Sequence, residues 1–267
     1  QLPLPRGLDA FPVFAEGTDT SGLPVGTVFG VYSTSATAAP TVRGWIAGHL
    51  AATSTITLNP TSPGGTGTSS GGSAPVAGDL MILSLLIPDP SDLPQAPVFT
   101  APSGWIQAPD IAAQGTMKPQ LLMGTAAGSG AITVSSTQDQ QIQYTLLWLS
   151  GADVPANVII GAIKRRTDAP AETTTVTCPS VSAPGFSTAV AIAWERTSAE
   201  EGTDPSWSSG WNGIIYSAQD PTDVITTEVA TKTMLATGAT GDAVCTYPNS
   251  QANNGIGIQL VIPGVTS

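Results

Sequence analysis

The stretch GDLMILSLLIP, residues 78–88, decides the fold class of this chain. Its apolar residues are interrupted only by Ser84, and the run lies between the turn pair Gly78–Asp79 and Pro88. An apolar run of this length, bounded by turn residues on both sides, favours a strand buried on both faces over a helix. The sequence therefore predicts that these residues form a central strand of a sheet.

Similar short runs follow along the rest of the chain, separated by Gly, Pro, Asn and Asp. They are GWIQAP (104–109), QLLMGTA (120–126), AITVSS (131–136), QYTLLWLSG (143–151), NVIIGAIKR (157–165), TTTVTCP (173–179), TAVAIAWERT (188–197), NGIIYSAQ (212–219), ITTEVATKTML (225–235), DAVCTYP (242–248) and NGIGIQLVIPG (254–264). Short strands at a spacing of roughly 8–15 residues are typical of β-sandwiches. We predict an all-β fold, with an antiparallel, jelly-roll-like β-sandwich over residues 76–267.

The first 75 residues have a different character. Near the start of residues 1–59, the stretch LPLP (residues 2–5) favours extended backbone, and short β-type runs follow it. We predict an N-terminal attachment arm or small β module here. Residues 60–75, PTSPGGTGTSSGGSAP, have the composition of a linker. The apolar residues predicted to anchor the arm to other proteins are Phe11, Phe14, Val28, Phe29, Val31 and Tyr32.

Charged side chains are scarce, and those present are mostly acidic. They make up 10% of the 267 residues, and the formal net charge is −11 with only eight Lys and Arg. Binding to nucleic acid or to an anionic membrane surface depends on clustered Lys and Arg, so both are disfavoured. No apolar stretch is long enough for a transmembrane helix, which predicts no membrane insertion.

The residue types that perform most catalysis at neutral pH are equally rare. The chain has one histidine, His49, and two cysteines, Cys178 and Cys245. No GxSxG motif accompanies the histidine, and no His/Cys spacing suits zinc. We therefore predict no catalytic residue, no cofactor and no metal site. The two cysteines either form a disulfide in an oxidising compartment or remain as two buried thiols.

Two groups of residues are candidates for recognition or for catalysis. Trp207, Trp211 and Tyr216, in PSWSSGWNGIIYS, have the aromatic and small polar composition of a recognition surface, although burial in the core is the favoured interpretation. Trp105 and Trp148 lie in apolar runs and are predicted to be core residues. Paired acids could serve a glycosidase, and the candidates Glu195, Glu200, Glu201 and Asp204 lie beside Trp194 and Trp207. For these acids a solvated loop is the favoured interpretation.

The order of GDLMILSLLI, APSGWIQ, LLMGTA, ITVSS, YTLLWLSGAD and the final NGIGIQLVIPG resembles a β-sandwich of virion proteins from tailed bacteriophages, especially phages of actinobacteria. These are minor tail, fibre and decoration proteins, and the resemblance covers residues 76–267. It implies a structural protein at the particle surface, attached through its N-terminal portion. The expected partners are other virion proteins, further copies of the chain, with a trimer as the expected arrangement for a fibre, and a host-surface glycan.

Two alternatives to a tail-associated protein stay open at this point. Within the structural class, the chain could be a capsid decoration or head-fibre protein. In another class, it could be a secreted carbohydrate-binding module, or a glycosidase that uses Glu195 with Glu201 or Asp204.

Overall fold

The computed structural model describes residues 27–28, 36–88, 98–113, 117–166, 175–197, 205–218, 224–247 and 254–265. Apart from one short 3-10 turn, Pro155–Asn157, every regular element in these ranges is a strand, so the predicted all-β class is confirmed. The strands are β1 (Thr27–Val28), β2 (Thr41–Leu58), β3 (Thr66–Gly72), β4 (Leu80–Pro88), β5 (Phe99–Thr100), β6 (Ile106–Gln107), β7 (Met117–Thr125), β8 (Ile132–Ser150), β9 (Ile159–Ile160), β10 (Lys164–Arg166), β11 (Thr175–Cys178), β12 (Ser182–Ala183), β13 (Ser187–Thr197), β14 (Ser206–Trp207), β15 (Asn212–Ala218), β16 (Val224–Met234), β17 (Gly238–Ala239), β18 (Ala243–Thr246) and β19 (Asn254–Pro263).

The first large sheet, sheet I, has the strand order β3-β2-β8-β4-β7-β6, and β5 also pairs with β8. All of its pairs are antiparallel. Strand β4, which contains the apolar run LMILSLLI, lies between β7 and β8. Successive side chains of β4 point to opposite faces, so that Ile82 lies in one apolar core and Leu83 in another, and both are buried. The prediction of a central strand buried on both faces is confirmed.

The second large sheet, sheet II, has the order β1-β9-β19-β13-β16-β15, with β10 also paired to β19. Its inner face packs against the inner face of sheet I in one shared apolar core, which contains Ile82 and Leu147 of sheet I and Ile192 and Leu260 of sheet II. The Trp194 indole Nε1 donates a hydrogen bond across this core to Ser84 Oγ, at 3.0 Å. The antiparallel β-sandwich is therefore confirmed, while this strand order does not establish the finer jelly-roll connectivity.

The outer face of sheet I is covered by part of the same sheet. The register of the β2–β8 pair shifts between Leu50 and Thr55, and such bulges bend a two-stranded ribbon. Beyond the bulges, Ile56 and Ile132 share an apolar cluster with the outer face. Ile132 is the first residue of β8, whereas Met81 pairs with Trp148 near the other end of the same strand. Both residues nevertheless line one cleft, because the ribbon folds back over its own sheet.

The outer face of sheet II is covered by a separate small sheet, sheet III, with the order β11-β18-β14. Where it is covered, sheet II presents small residues: Ala189, Ala191 and Ala193 of β13 are buried in the intervening core. Gly257 of β19 lies so close that a Cβ there would stand 2.3 Å from the carbonyl oxygen of Thr177. The two sheets therefore approach each other almost backbone to backbone.

The structure differs from the predicted boundary at residues 60–75. Strand β3 lies inside this segment and pairs with β2, which in turn pairs along most of its length with β8. The glycines of this segment allow close packing and do not form a flexible linker. A Cβ at Gly71, for example, would stand 2.6 Å from the Trp45 indole nitrogen. Residues from Thr41 onward therefore belong to the sandwich.

Most of the predicted anchoring arm lies outside the described residues, namely Phe11, Phe14, Phe29, Val31 and Tyr32. Val28 is the exception: it belongs to β1 and pairs with Ile159 of β9 at the edge of sheet II. The anchoring role of all six residues stays a prediction.

Candidate functional site

The predicted recognition surface is divided by the structure. Trp211 is only 8% exposed and packs in the core between sheets II and III, which is the interpretation favoured from the sequence. Trp207 is partly buried against the same core, on β14. Tyr216 has its backbone in β15, opposite Glu228 of β16, and its side chain lies outside the described residues. The described indoles of this group therefore contribute to packing between layers.

Both cysteines are buried between sheets II and III as free thiols. They lie on neighbouring strands, with Cys178 opposite Ala243 and Cys245 opposite Val176. Burial raises the pKa of Cys178 to about 12, and burial together with nearby Glu228 raises the pKa of Cys245 well above its ordinary value. Both thiols are thus protonated at neutral pH, and a thiol in that state is a poor nucleophile.

The favoured interpretation placed Glu195 in a solvated loop, and for this residue it is wrong. Strand β13 extends through it, and its side chain is fully buried on the face toward sheet III. Glu228, on the neighbouring strand, is also buried on that face. Burial, and then the charges of Cys245, Glu228 and Glu195, raise the pKa of Tyr247 well above its ordinary value. The other acids of this group, Glu200, Glu201 and Asp204, lie outside the described residues.

His49 is 5% exposed, on β2, opposite Gln143 of β8. Its Nδ1 lies 3.3 Å from the carbonyl oxygen of Thr66 and donates to it in the tautomer with Nδ1 protonated. Burial lowers the pKa of His49, and the hydrogen bond to Thr66 opposes this effect. The imidazole is therefore neutral near pH 7 and enclosed by sheet I.

A cleft of about 300 Å³ opens at one end of sheet I, and Trp105 forms part of its wall. Trp105 is partly buried and packs against the outer-face cluster that contains the fully enclosed Trp148, so the predicted core role holds only for part of its side chain. Gly124 of β7 explains the position, because a Cβ there would stand 2.3 Å from Cδ2 and Cε2 of the indole. One face of the ring therefore lies flat against the backbone of sheet I.

Two chain segments form the rims of this cleft. One is the turn before Trp105, closed by a hydrogen bond from the Trp105 amide to the carbonyl oxygen of Pro102, at 3.0 Å. The other is the connection from β7 to β8, where a Cβ at Gly130 would meet nothing within 4 Å. Met81 and Ile132 supply buried apolar surface, and every described residue that lines the cleft is uncharged.

A signal for this cleft was present in the sequence. A glycine inside a strand often marks the close approach of another group, and Gly124 interrupts the apolar run QLLMGTA. Its partner could not be identified locally, since Trp105 is 19 residues away, on the neighbouring strand region. The pairing of β6 with β7 brings the two together.

Two further findings concern the described part of the chain. No group of three or more His, Cys, Asp or Glu side chains there is arranged to hold a metal ion. None of its helical segments has the length and apolar character needed to cross a membrane.

Comparisons of the chain with protein-family models, with curated proteins and with solved structures found no match.

Proposed function

We propose that this chain is a non-enzymatic structural component of a bacteriophage virion, a tail-associated protein of the minor tail or fibre type. In this proposal the N-terminal region attaches the chain to other virion proteins, and the β-sandwich is exposed at the particle surface. The proposal takes its biological setting from the sequence resemblance over residues 76–267. It takes its non-enzymatic character from the burial of the reactive side chains.

That burial is the observation that carries the proposal. His49, Cys178, Cys245, Tyr247 and Glu195 are each at most 5% exposed, within the sandwich or beneath its outer layers. General acid–base and nucleophilic catalysis require such groups within reach of a substrate. Here they occupy packed cores, and the cleft at Trp105 is lined by uncharged residues. This arrangement suits a protein that binds or supports others.

The layered architecture also suits a particle component. The described residues form four stacked layers, namely the folded-back ribbon, sheet I, sheet II and sheet III, with an apolar core between each adjacent pair. Burial of apolar area in three cores is the dominant stabilising contribution in such a stack.

The location of the chain on a particle tests the proposal directly. Purified virions would be labelled with gold-conjugated antibodies raised against the chain and imaged by electron microscopy. Label on the tail tip or fibres is the expected result. Label spread over the head would replace the tail assignment with the decoration or head-fibre alternative. Absence of the chain from purified particles would overturn the virion proposal and favour the secreted binding module.

The oligomeric state of the purified chain provides a second test. A fibre or spike arrangement predicts a symmetric homo-oligomer, with a trimer as the expected form. Light scattering coupled to size-exclusion chromatography gives the mass directly. A monomer across the accessible concentration range would contradict the fibre arrangement and leave a minor tail role to be tested on the particle.

A further inference from the structure

We propose that the cleft beside Trp105 binds a neutral sugar ring, as the contact point of this chain with a surface glycan. The inference rests on the proposed function for its biological role, since it gives the exposed sandwich a specific binding site. The site itself is argued from the geometry of the cleft alone, so the two proposals can fail separately.

Contacts within the protein fix the position of the Trp105 indole in the absence of ligand. One ring face packs on Gly124, where no side chain intervenes, and the turn closed by Pro102 holds the backbone of Trp105. The remaining ring surface contributes to the cleft wall. A fixed aromatic ring provides a large contact area at a low cost in conformational entropy. The faces of an indole carry partial negative charge, which attracts the weakly positive C–H face of a pyranose.

The size of the cleft indicates a small ligand. Its volume of about 300 Å³ is at the lower end of the range for ligand pockets. Met81 and Ile132 form an apolar base beside the indole, so the part of the ligand that enters the cleft must have an apolar face. A single terminal sugar ring meets both conditions, whereas an extended peptide would need a longer groove.

The polar groups around the cleft are hydroxyls and backbone groups. Ser103, Thr125 and Thr133 contribute side chains that both donate and accept hydrogen bonds, and Gly128 and Gly130 leave the backbone of one rim uncovered. Sugar hydroxyls likewise donate and accept. An apolar platform with hydroxyls at its edge therefore matches the two chemically different parts of a pyranose.

The absence of charged residues in the described lining of the cleft disfavours charged ligands that stack on tryptophan. Nucleotides and acidic sugars need cationic groups to offset their negative charge. The described lining has no Lys or Arg, and the chain carries a net charge of −11. Cationic ligands would be attracted by the overall charge, but no carboxylate lines the described part of the cleft to hold one. The neutral hexoses and N-acetylhexosamines remain.

Saturation-transfer NMR on the full chain tests this inference. The probes are the methyl glycosides of glucose, galactose, mannose and N-acetylglucosamine, each at concentrations up to about 10 mM, where weak single-ring binding is measurable. We expect transfer to the ring C–H protons of at least one glycoside. Trp105→Ala should weaken its binding about tenfold or more, because stacking and apolar contact are both lost. Trp105→Phe should restore part of the affinity.

Trp45→Ala is the matched control, because the Trp45 indole also packs on a glycine of sheet I, Gly71, but faces the inner core instead of the cleft. If Trp105→Ala fails to fold, Gly130→Gln replaces it. A Cβ at Gly130 meets nothing within 4 Å, so this substitution should leave folding intact, and because Gly130 lines the cleft the longer side chain should weaken binding. Binding that is unchanged by either cleft variant, or lost equally in Trp45→Ala, would overturn the inference.

The outcomes also separate this inference from the proposed function. Absence of saturation transfer with all four glycosides, in a chain that antibodies locate on the virion, would overturn the sugar site and leave the structural role intact. Cleft-dependent binding by a chain that is absent from particles would support the site and overturn the virion proposal.

Discussion

The two outer layers of this protein cover their sheets in opposite ways. The ribbon that folds over sheet I covers large apolar side chains, among them Leu83, Leu85 and Leu146. Sheet III instead covers Ala189 and Ala191, with the buried amide of Gln259 beside them. The first cover packs on large apolar side chains of sheet I. The second packs largely on small residues of sheet II, and adds close backbone approach and hydrogen bonds to the apolar contacts of Trp211 and Tyr247.

The second layer adds buried side-chain hydrogen bonds to its apolar contacts. Gln259 Nε2 donates to the carbonyl oxygens of Cys178 and Gly241, each at 2.9 Å, and Gln259 Oε1 accepts from Thr240 Oγ1 at 2.6 Å. One side chain of sheet II thus joins sheet III and its connecting loop. Small residues on the covered face of sheet II thus allow the close approach that these hydrogen bonds require.

Leu83→Ala should produce the largest effect, because it opens a cavity under the apolar cover. Leu83 is completely buried on the outer face of β4. We expect the free energy of unfolding to fall by about 2–5 kcal/mol in urea titrations. Leu235→Ala is the control, since Leu235 is 69% exposed and should change little. Equal effects of the two changes would mean that the cover is not packed as described.

Gly257→Ala tests the close approach of sheet III. The added Cβ would stand 2.3 Å from the Thr177 carbonyl oxygen, and backbone cannot move aside as a flexible side chain can. We expect a loss of about 1–3 kcal/mol in the free energy of unfolding, or more if the layer separates. Gly130→Ala adds the same atom in open space and should be neutral. A neutral Gly257→Ala would show that the layers lie further apart.

Gln259→Met keeps the side-chain volume but removes the hydrogen bonds that join sheet III to sheet II. The Cys178 and Gly241 carbonyls and the Thr240 hydroxyl would each lose a buried partner. We expect the free energy of unfolding to fall by about 1–3 kcal/mol, since buried polar groups without partners are costly. Gln107→Met, at an exposed position of β6, serves as the control. Stability unchanged by Gln259→Met would refute the idea that hydrogen bonds hold this layer.

The dependence of stability on alkaline pH should also distinguish the two outer layers. Burial raises the pKa of Cys178 from 9.0 to about 12, so the folded state keeps a proton that the unfolded chain loses. The resulting stability is present below pH 9 and is lost as the pH rises toward 12. The slope of the unfolding free energy against pH gives the number of protons released on unfolding. Between pH 9 and 11, Cys178→Ala should reduce that number by up to about one.

Tyr144→Phe provides the corresponding test of pH dependence beneath the ribbon that covers sheet I. Burial raises the pKa of Tyr144 from 10.0 to about 12, and its hydroxyl donates to the Gly64 carbonyl oxygen at 2.8 Å. Its contribution to the pH dependence should therefore begin about one unit higher than that of Cys178. A pH dependence that is identical in wild type and Cys178→Ala would show that the thiol is not sealed beneath sheet III.

Much of the fold could be predicted because its signals are local. The apolar run of β4, bounded by Gly78 and Pro88, indicates a doubly buried strand without reference to any other part of the chain. The strand candidates after it follow from the same kind of signal. The segment 60–75 could not be assigned from composition, because glycine and serine serve a flexible linker and a tightly packed edge strand equally well. Only the pairing of β3 with β2 distinguishes the two.

The candidate site depended almost entirely on contacts between distant residues. Trp211 and Trp105 are both tryptophans near Ser and Gly, yet the first is buried beneath sheet III and the second lines a cleft. Glu195 stands among acidic residues in the sequence, but the extension of β13 encloses it. The amino-acid sequence by itself determined the all-β class, the central strand and the scarcity of reactive groups, since periodicity, turn residues and composition are properties of neighbouring residues. Which tryptophan meets solvent and which acid is enclosed was decided only by the tertiary structure, because burial depends on what packs against a residue from elsewhere in the chain.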